Sequence, residues 1–293
     1  MANRTRASGC FELGQSPVQK WNSPDLLLMS SCCGPTPSPL DQTQAVEDRY
    51  GAAAAEQEAC LCTPVAFDPA LLKPIPKDVV ERDYGCGDPT RWVRSGDAVL
   101  DLGSGSGKNA FICAQVVGQT GRVIGIDRNA DMLALSRSAA PVVAERIGYA
   151  NVCFLEGAIE ALDATDAQGN PLVADSSVDV VLSNCVLNLV NPSARERLLQ
   201  NIRRVLRPAG RVSISDIVCD RPVPLALQQD AELWSGCISG AWLEEAFLED
   251  FRALGLEQVQ YAERSEQPWR VVEGIEFRAV TLTGALPNGS AVV

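Results

Sequence analysis

The stretch Asp101-Leu102-Gly103-Ser104-Gly105-Ser106-Gly107 joins an acid to a Gly-x-Gly-x-Gly turn, directly after the apolar pair Val99-Leu100. Lys108 to Ala114 then reads as the opening of a helix. A strand, a tight turn and a helix N-terminus bring backbone N–H groups up to a ligand, and glycine lets the backbone approach it closely. A second apolar run, Val123-Ile124-Gly125-Ile126, also ends in an acid, Asp127, placed for the hydroxyl pair of a ribose. An acid just before the first glycine would repel a pyrophosphate and attract an ammonium group. A ligand with an amino acid at one end and a nucleoside at the other satisfies both acids. A nicotinamide or flavin oxidoreductase is the competing reading of such a turn.

The second store of chemistry is sulfur. The chain has 11 cysteines and no histidine. The usual general base and imidazole metal ligation are therefore both excluded. No basic segment followed by an apolar run marks a secretory signal, so the expected compartment is the cytoplasm. Cysteines there are reactive, metal-binding or buried rather than a disulfide framework. Cys86 stands between Gly85 and Gly87 in a loop, which predicts an exposed thiol. Cys185 follows a strand, and Cys237 lies in the glycine-flanked segment Trp234-Ser235-Gly236-Cys237-Ile238-Ser239-Gly240-Ala241. Cys113, Cys153 and Cys219 read as small buried hydrophobes. Cys10 falls in a polar tail, where Cys32-Cys33 and Met29, a candidate translation start, also lie. Cys32-Cys33 and Cys60-x-Cys62 are candidate soft-metal handles.

These residues need elements to position them. Strands are expected at 98–103, 122–127, 151–156, 177–184 and 210–218, with helices near 107–117, 129–147 and 193–206. Apolar strands alternating with helices predict a parallel sheet covered on both faces. Ligands of such sheets bind outside the carboxyl ends of the strands. The turn after Gly103, Asp127, the Gly157-Ala158-Ile159-Glu160 turn and Ser183-Asn184-Cys185 all fall at that rim. Arg207-Pro208-Ala209-Gly210 reads as a turn into the fifth strand. Beyond it, an amphipathic helix is expected over 242–254 and strands near 257–263 and 275–283. A short helix is expected over 44–57 and another over 76–82.

Composition narrows the class. The 293 residues are 46% hydrophobic and 21% charged, ordinary for a globular protein. Apolar runs are broken by charge well short of a membrane span. The net charge of −12, from 25 basic and 37 acidic residues, argues against a nucleic-acid partner. A monomer is expected.

The glycine-rich turn resembles the first motif of S-adenosylmethionine-dependent methyltransferases. Tyr84-Gly85-Cys86-Gly87, Ser183-Asn184-Cys185-Val186-Leu187-Asn188 and the segment around Cys237 together resemble the arsenite S-adenosylmethionine methyltransferases over about residues 60–240. The resemblance implies an α/β, Rossmann-like class I methyltransferase fold, with a cysteine-bearing N-terminal extension and a C-terminal α+β region over the substrate. Its divisions are a disordered tail (1–44), the extension (45–96), the donor-binding domain (97–218) and a C-terminal region completing the sheet and the arsenic site (219–293). It implies that Cys185, Cys237 and Cys86 hold trivalent arsenic, and that Cys60 or Cys62 pairs with Cys86 in a redox relay. For the S-adenosylmethionine cofactor it implies Asp101 on the ammonium, with Gly103, Ser104 and Gly105 as backbone contacts. Asp127 would take the ribose, Met132 the adenine face, Ile159 and Glu160 the base edge, and Asn184 the methionine end. The substrate would be an arsenite–thiol conjugate, and the reductant thioredoxin or glutathione. Two other readings stay open: a quinone or sterol C-methyltransferase of the same fold, and a thiol metal-binding module.

Overall fold

The computed structural model describes residues 39–56, 58 and 65–289. Cys10, Cys32, Cys33, Cys60 and Cys62, and the Met29 start, lie outside them. Helix α1 (Pro39–Ala55) begins with proline, whose fixed φ suits a first turn; it starts ahead of the expected Gln44, inside the expected tail. Single turns α2 (Pro69–Leu72) and α3 (Lys77–Glu81) follow, α2 being capped by Asp68, which accepts from the Ala70 N–H at 2.8 Å.

The α/β rhythm then runs β1 (Ala98–Leu102), α4 (Lys108–Val117), β2 (Arg122–Asp127), α5 (Ala130–Ile147), β3 (Val152–Glu156), β4 (Val178–Asn184), α6 (Arg195–Val205) and β5 (Leu206–Cys219). After it come α7 (Leu225–Gln228), α8 (Ala231–Ser235), β6 (Trp242–Leu243), α9 (Glu244–Ala253), β7 (Glu257–Arg264), β8 (Arg270–Val272) and β9 (Ile275–Ala285). One sheet runs β3-β2-β1-β4-β5-β9-β7, with β6 beside β5 and β8 beside β9. The first five strands are parallel, and β9 and β7 join antiparallel. This is the Rossmann-like class I arrangement expected from the sequence. The expected Arg207–Gly210 turn is a bulge inside β5. Leu206 still pairs with Val178, the ladder resumes at Arg211 opposite Val180, and Ala209 takes a φ of 61°.

Alternation along the strands builds two cores. Val99, Val123, Val180 and Leu182 pack with Phe111 and Ile112 of α4 and Leu133 and Val143 of α5. Leu100, Leu102, Val181 and Ile214 pack with Leu198 and Ile202 of α6 and Phe247 and Phe251 of α9. Full burial of a side chain such as Leu100 stabilises the fold by about 1.5–3 kcal/mol. Strand order reverses between β1 and β4, and the crevice outside their carboxyl ends is the natural ligand site. Among the described residues no helix is long and apolar enough to cross a membrane.

Candidate active site

The crevice opens beside the glycine-rich turn. Gly103 has a φ of 68°, and a Cβ there would run into the Val186 side chain, so glycine is required for the turn to lie against the end of β4. Ser104 N–H donates to the Ile126 carbonyl at 2.9 Å, which ties the turn to β2. The Gly105 N–H donates to Asp127 Oδ2 and the Asn129 N–H to Asp127 Oδ1, each at 2.8 Å. A cavity of about 110 Å³ lies over this turn, walled by Gly103, Asp127, Met132, Ile159, Glu160 and, from α1, Tyr50. Three of the four rim segments named from the sequence (the turn after Gly103, Asp127 and the Gly157–Glu160 turn) thus meet here, because parallel strands deliver their carboxyl ends to one edge.

Asp101 does not line that cavity. Its side chain is 1% exposed, and its Oδ2 has no hydrogen-bond partner in the protein. Burial, then the nearby Asp83 and Asp127 carboxylates, push its carboxyl well above the ordinary range. Such a group is built for a cation. The Asp127 carboxyl is also raised by burial, although its N–H donors pull it back. The buried Ser104 hydroxyl is likewise without a partner.

A second, smaller pocket of about 10 Å³ adjoins, lined by Tyr50, Tyr84, Cys86, Cys185, Cys237 and Trp269 among others. Cys86 and Cys185 are joined as a disulfide with their Cα atoms 6.0 Å apart. Cys237 is a free thiol that donates to the Cys185 carbonyl at 3.2 Å. Cys185 and Cys237 are both held with left-handed φ, 58° and 62°. For a non-glycine residue this costs on the order of 1–3 kcal/mol and persists where the surroundings enforce it. The Cys185 N–H is fixed by the Ser215 carbonyl at 2.8 Å, which continues the β4–β5 ladder beyond Asn184.

The structure corrects the expectation that Cys86 is exposed: it is 6% exposed. A Cβ on Gly85 would overlap the Asn184 amide, and one on Gly87 would overlap Ser215, so the flanking glycines press the loop onto the strand ends. Asn184 spends its amide on this loop. Its Oδ1 accepts from the Cys86 and Gly87 N–H groups at 2.9 and 3.2 Å, and its Nδ2 donates to the Gly87 carbonyl at 2.8 Å. In this structure Asn184 clamps the cysteine loop. A buried Lys108–Asp83 ion pair ties the same loop to the first turn of α4. Cys113 and Cys219 are buried as expected, whereas Cys153 is exposed, because β3 is the edge strand and its residue faces outward.

Two site residues escaped sequence reading. Asp216 on β5 is fully buried, with a carboxylate oxygen within 4.8 Å of the Cys185 and Cys237 sulfurs. Burial pushes its carboxyl up to about 7, against the pull of the Ile217, Asn188 and Leu187 N–H groups. Tyr50 and Cys237 line the same pocket, and burial raises the Cys237 thiol far above its usual range. The alternation in Ser213-Ile214-Ser215-Asp216-Ile217 was the available signal for Asp216, since it turns a charged group inward. Nothing in the alanine-rich segment around Tyr50 marks it. The arrangement can hold a soft ion between sulfurs beside a cavity lined by the ribose-binding candidate Asp127 and the apolar Met132 and Ile159.

A methyltransferase domain family matches residues 93–266. An arsenite methyltransferase of Aquipseudomonas alcaligenes is 37% identical over 205 residues, covering 68% of this chain and 57% of that protein. One from Halobacterium salinarum is 36% identical over 242 residues, covering 80% and 55%. The chain thus spans little more than half the length of these curated relatives. The crystal structure of CrArsM, an arsenic(III) S-adenosylmethionine methyltransferase from Chlamydomonas reinhardtii, superposes with a TM-score of 0.67 at 31% identity, covering 78% of this chain and 76% of that one.

Proposed function

The chain belongs to the arsenic(III) S-adenosylmethionine methyltransferase family, and we propose that it methylates trivalent arsenic held by the thiolates of Cys86, Cys185 and Cys237. The observation that carries this reading is the three-cysteine pocket set beside the cavity over the glycine-rich turn. The residues present fit the donor. Asp101 offers an unpartnered buried oxygen to an ammonium group, Asp127 keeps further lone pairs for ribose hydroxyls, and Met132 and Ile159 give the base apolar walls. When bound, S-adenosylmethionine supplies a methyl group on a positively charged sulfur.

The chain's own part is placement. Each cysteine thiol displaces one thiol from an arsenite–thiol conjugate, and its proton leaves on the released thiol, so loading balances without a base. Sulfur suits arsenic(III), and three thiolates leave its lone pair free as the nucleophile. That nucleophile carries no proton, so the site functions without histidine. Holding it at near-attack distance in line with the methyl–sulfur bond accounts for most of the catalysis expected here. Attack leaves arsenic formally pentavalent. Two thiolates then give it two electrons and join as one disulfide, and a dithiol or glutathione-class reductant reopens that bond. Methylated arsenicals for detoxification or organoarsenical synthesis are the product class.

The Cys86–Cys185 disulfide removes two of the three sulfurs, so it represents the oxidised form of this site. Cys86 also lines an open cavity of about 750 Å³ with Phe67, Asp88 and Arg91, whereas Cys185 and Cys237 do not. It is therefore the sulfur a reductant meets first, and the partner we assign to Cys60 or Cys62 in the relay. Methyl transfer from labelled S-adenosylmethionine should require both arsenite and prior reduction with dithiothreitol, with the oxidised protein at least about tenfold slower. Equal turnover of a quinone acceptor without arsenite would overturn the reading. The adjoining pocket, about 10 Å³ and lined by three cysteines, offers no room for such a ring.

A further inference from the structure

Helix α1 lies across both cavities. Its Thr43, Val46, Glu47 and Tyr50 wall the donor cavity, and among the described residues Tyr50 alone lines the thiol pocket as well. The helix is tied on each side. The Arg49 guanidinium donates to the Glu232 carbonyl at 2.9 Å and to the Ser235 hydroxyl at 3.0 Å, in the helix just before Cys237. Asn129, which follows β2 in the donor cavity wall, donates to the Glu47 carbonyl at 3.1 Å. The Tyr50 ring packs edge-on to Tyr84 with centroids 6.1 Å apart, and Tyr50 shares the thiol pocket with Cys237.

Resting on the donor and thiol pockets assigned above, we propose that Tyr50 is a positioning residue that couples them: its ring forms donor wall while its hydroxyl orients the Cys237 sulfur. The physical argument is one of shared parts. A nucleoside against the ring restrains α1 and with it the hydroxyl, so a filled donor cavity fixes the Cys237 sulfur where an empty one leaves it freer. Linkage makes this reciprocal, so arsenic on the thiols tightens donor binding by the same factor. The structural anchors of α1, Arg49 and Glu47, keep the helix seated when the hydroxyl alone is removed, which separates orientation from folding.

The test uses the full chain and S-adenosylhomocysteine, a donor-shaped ligand with no methyl group to give. The rate at which N-ethylmaleimide alkylates Cys237, read by peptide mass spectrometry, should fall about tenfold when S-adenosylhomocysteine is bound. In Tyr50→Phe the ligand should still bind within about twofold of its normal affinity, as expected for a variant that keeps the ring. Its protection of Cys237 should vanish. Protection that survives in Tyr50→Phe, or is absent from the native protein, overturns the proposal. So does a Tyr50→Phe variant that loses S-adenosylhomocysteine binding, because the hydroxyl would then belong to the donor cavity. A circular dichroism melt on each variant identifies any loss due to unfolding, and Tyr50→Trp, which keeps a ring without the hydroxyl, then supplies the same comparison. Arsenite affinity measured in parallel keeps the two readings apart. Native protein that shows protection but binds no arsenite would remove the proposed substrate and leave the coupling intact.

Discussion

Cys185→Ser is expected to abolish arsenite methylation, with a loss of about 100-fold or more, while S-adenosylmethionine still binds within about twofold. Serine preserves the size and the backbone demands of the position, including its left-handed φ of 58°. It replaces a soft, polarisable ligand with a hard hydroxyl that arsenic(III) binds poorly. Cys185 does not line the donor cavity, so donor affinity has no direct reason to change. Cys153→Ser is the matched control, since that thiol is exposed on the edge strand β3. Radiolabel transfer from the donor measures activity, and equilibrium dialysis with S-adenosylhomocysteine measures binding. Full activity in Cys185→Ser would mean that the thiol pocket is not the acceptor site.

Asp101→Asn should separate donor binding from stability, moving them in opposite directions. The carboxyl is almost wholly buried with one unpartnered oxygen, and burial with Asp83 and Asp127 raises it well above an unfolded aspartate. A raised acid keeps its proton in the folded protein at pH values where the unfolded chain has lost it. Its contribution to stability therefore falls as pH rises through the ordinary carboxylate range, and the penalty is largest above the folded value. The amide removes that penalty. At pH 8 the ligand-free variant should melt higher by about 2–4 °C, the shift expected for roughly 1 kcal/mol in a chain of this order of size. The gain should shrink as the pH is lowered toward 4. The same change removes the anion that meets the donor ammonium, and affinity should fall about 10- to 100-fold, the usual worth of a hydrogen bond to a charged group. Differential scanning fluorimetry with and without S-adenosylhomocysteine reads both effects. A variant that melts lower and still gains its full ligand-induced shift would contradict both halves.

The parallel half of the fold was legible because its signals are local. Strands β1 to β4 are short apolar runs closed by Gly, Asp or Asn, and their observed ends fall within a residue of the expected ones. The rim residues Gly103, Asp127, Ile159 and Glu160 followed from the fold rule for parallel sheets rather than from any single motif. The thiol site was only partly legible. Cys185 carried a positional signal, but its meeting with Cys237 and Cys86 rests on contacts more than fifty residues apart in the chain, and came from resemblance. Reading Gly85 and Gly87 as marks of exposure failed because glycine also serves close packing, here of a loop on Asn184 and Ser215. Cys153 misled in the opposite way, since alternation says that a strand has two faces and not that both are covered. Tyr50 was invisible because its function depends on where α1 lies, and no local pattern records that.

The most direct test of the central claim is the arsenic K-edge absorption spectrum of the fully reduced protein loaded with one equivalent of arsenite. Three sulfur neighbours and no oxygen are predicted, falling to two sulfurs in Cys86→Ser, Cys185→Ser or Cys237→Ser. An oxygen-dominated shell in the native protein, or three sulfurs surviving in all three variants, would contradict the account.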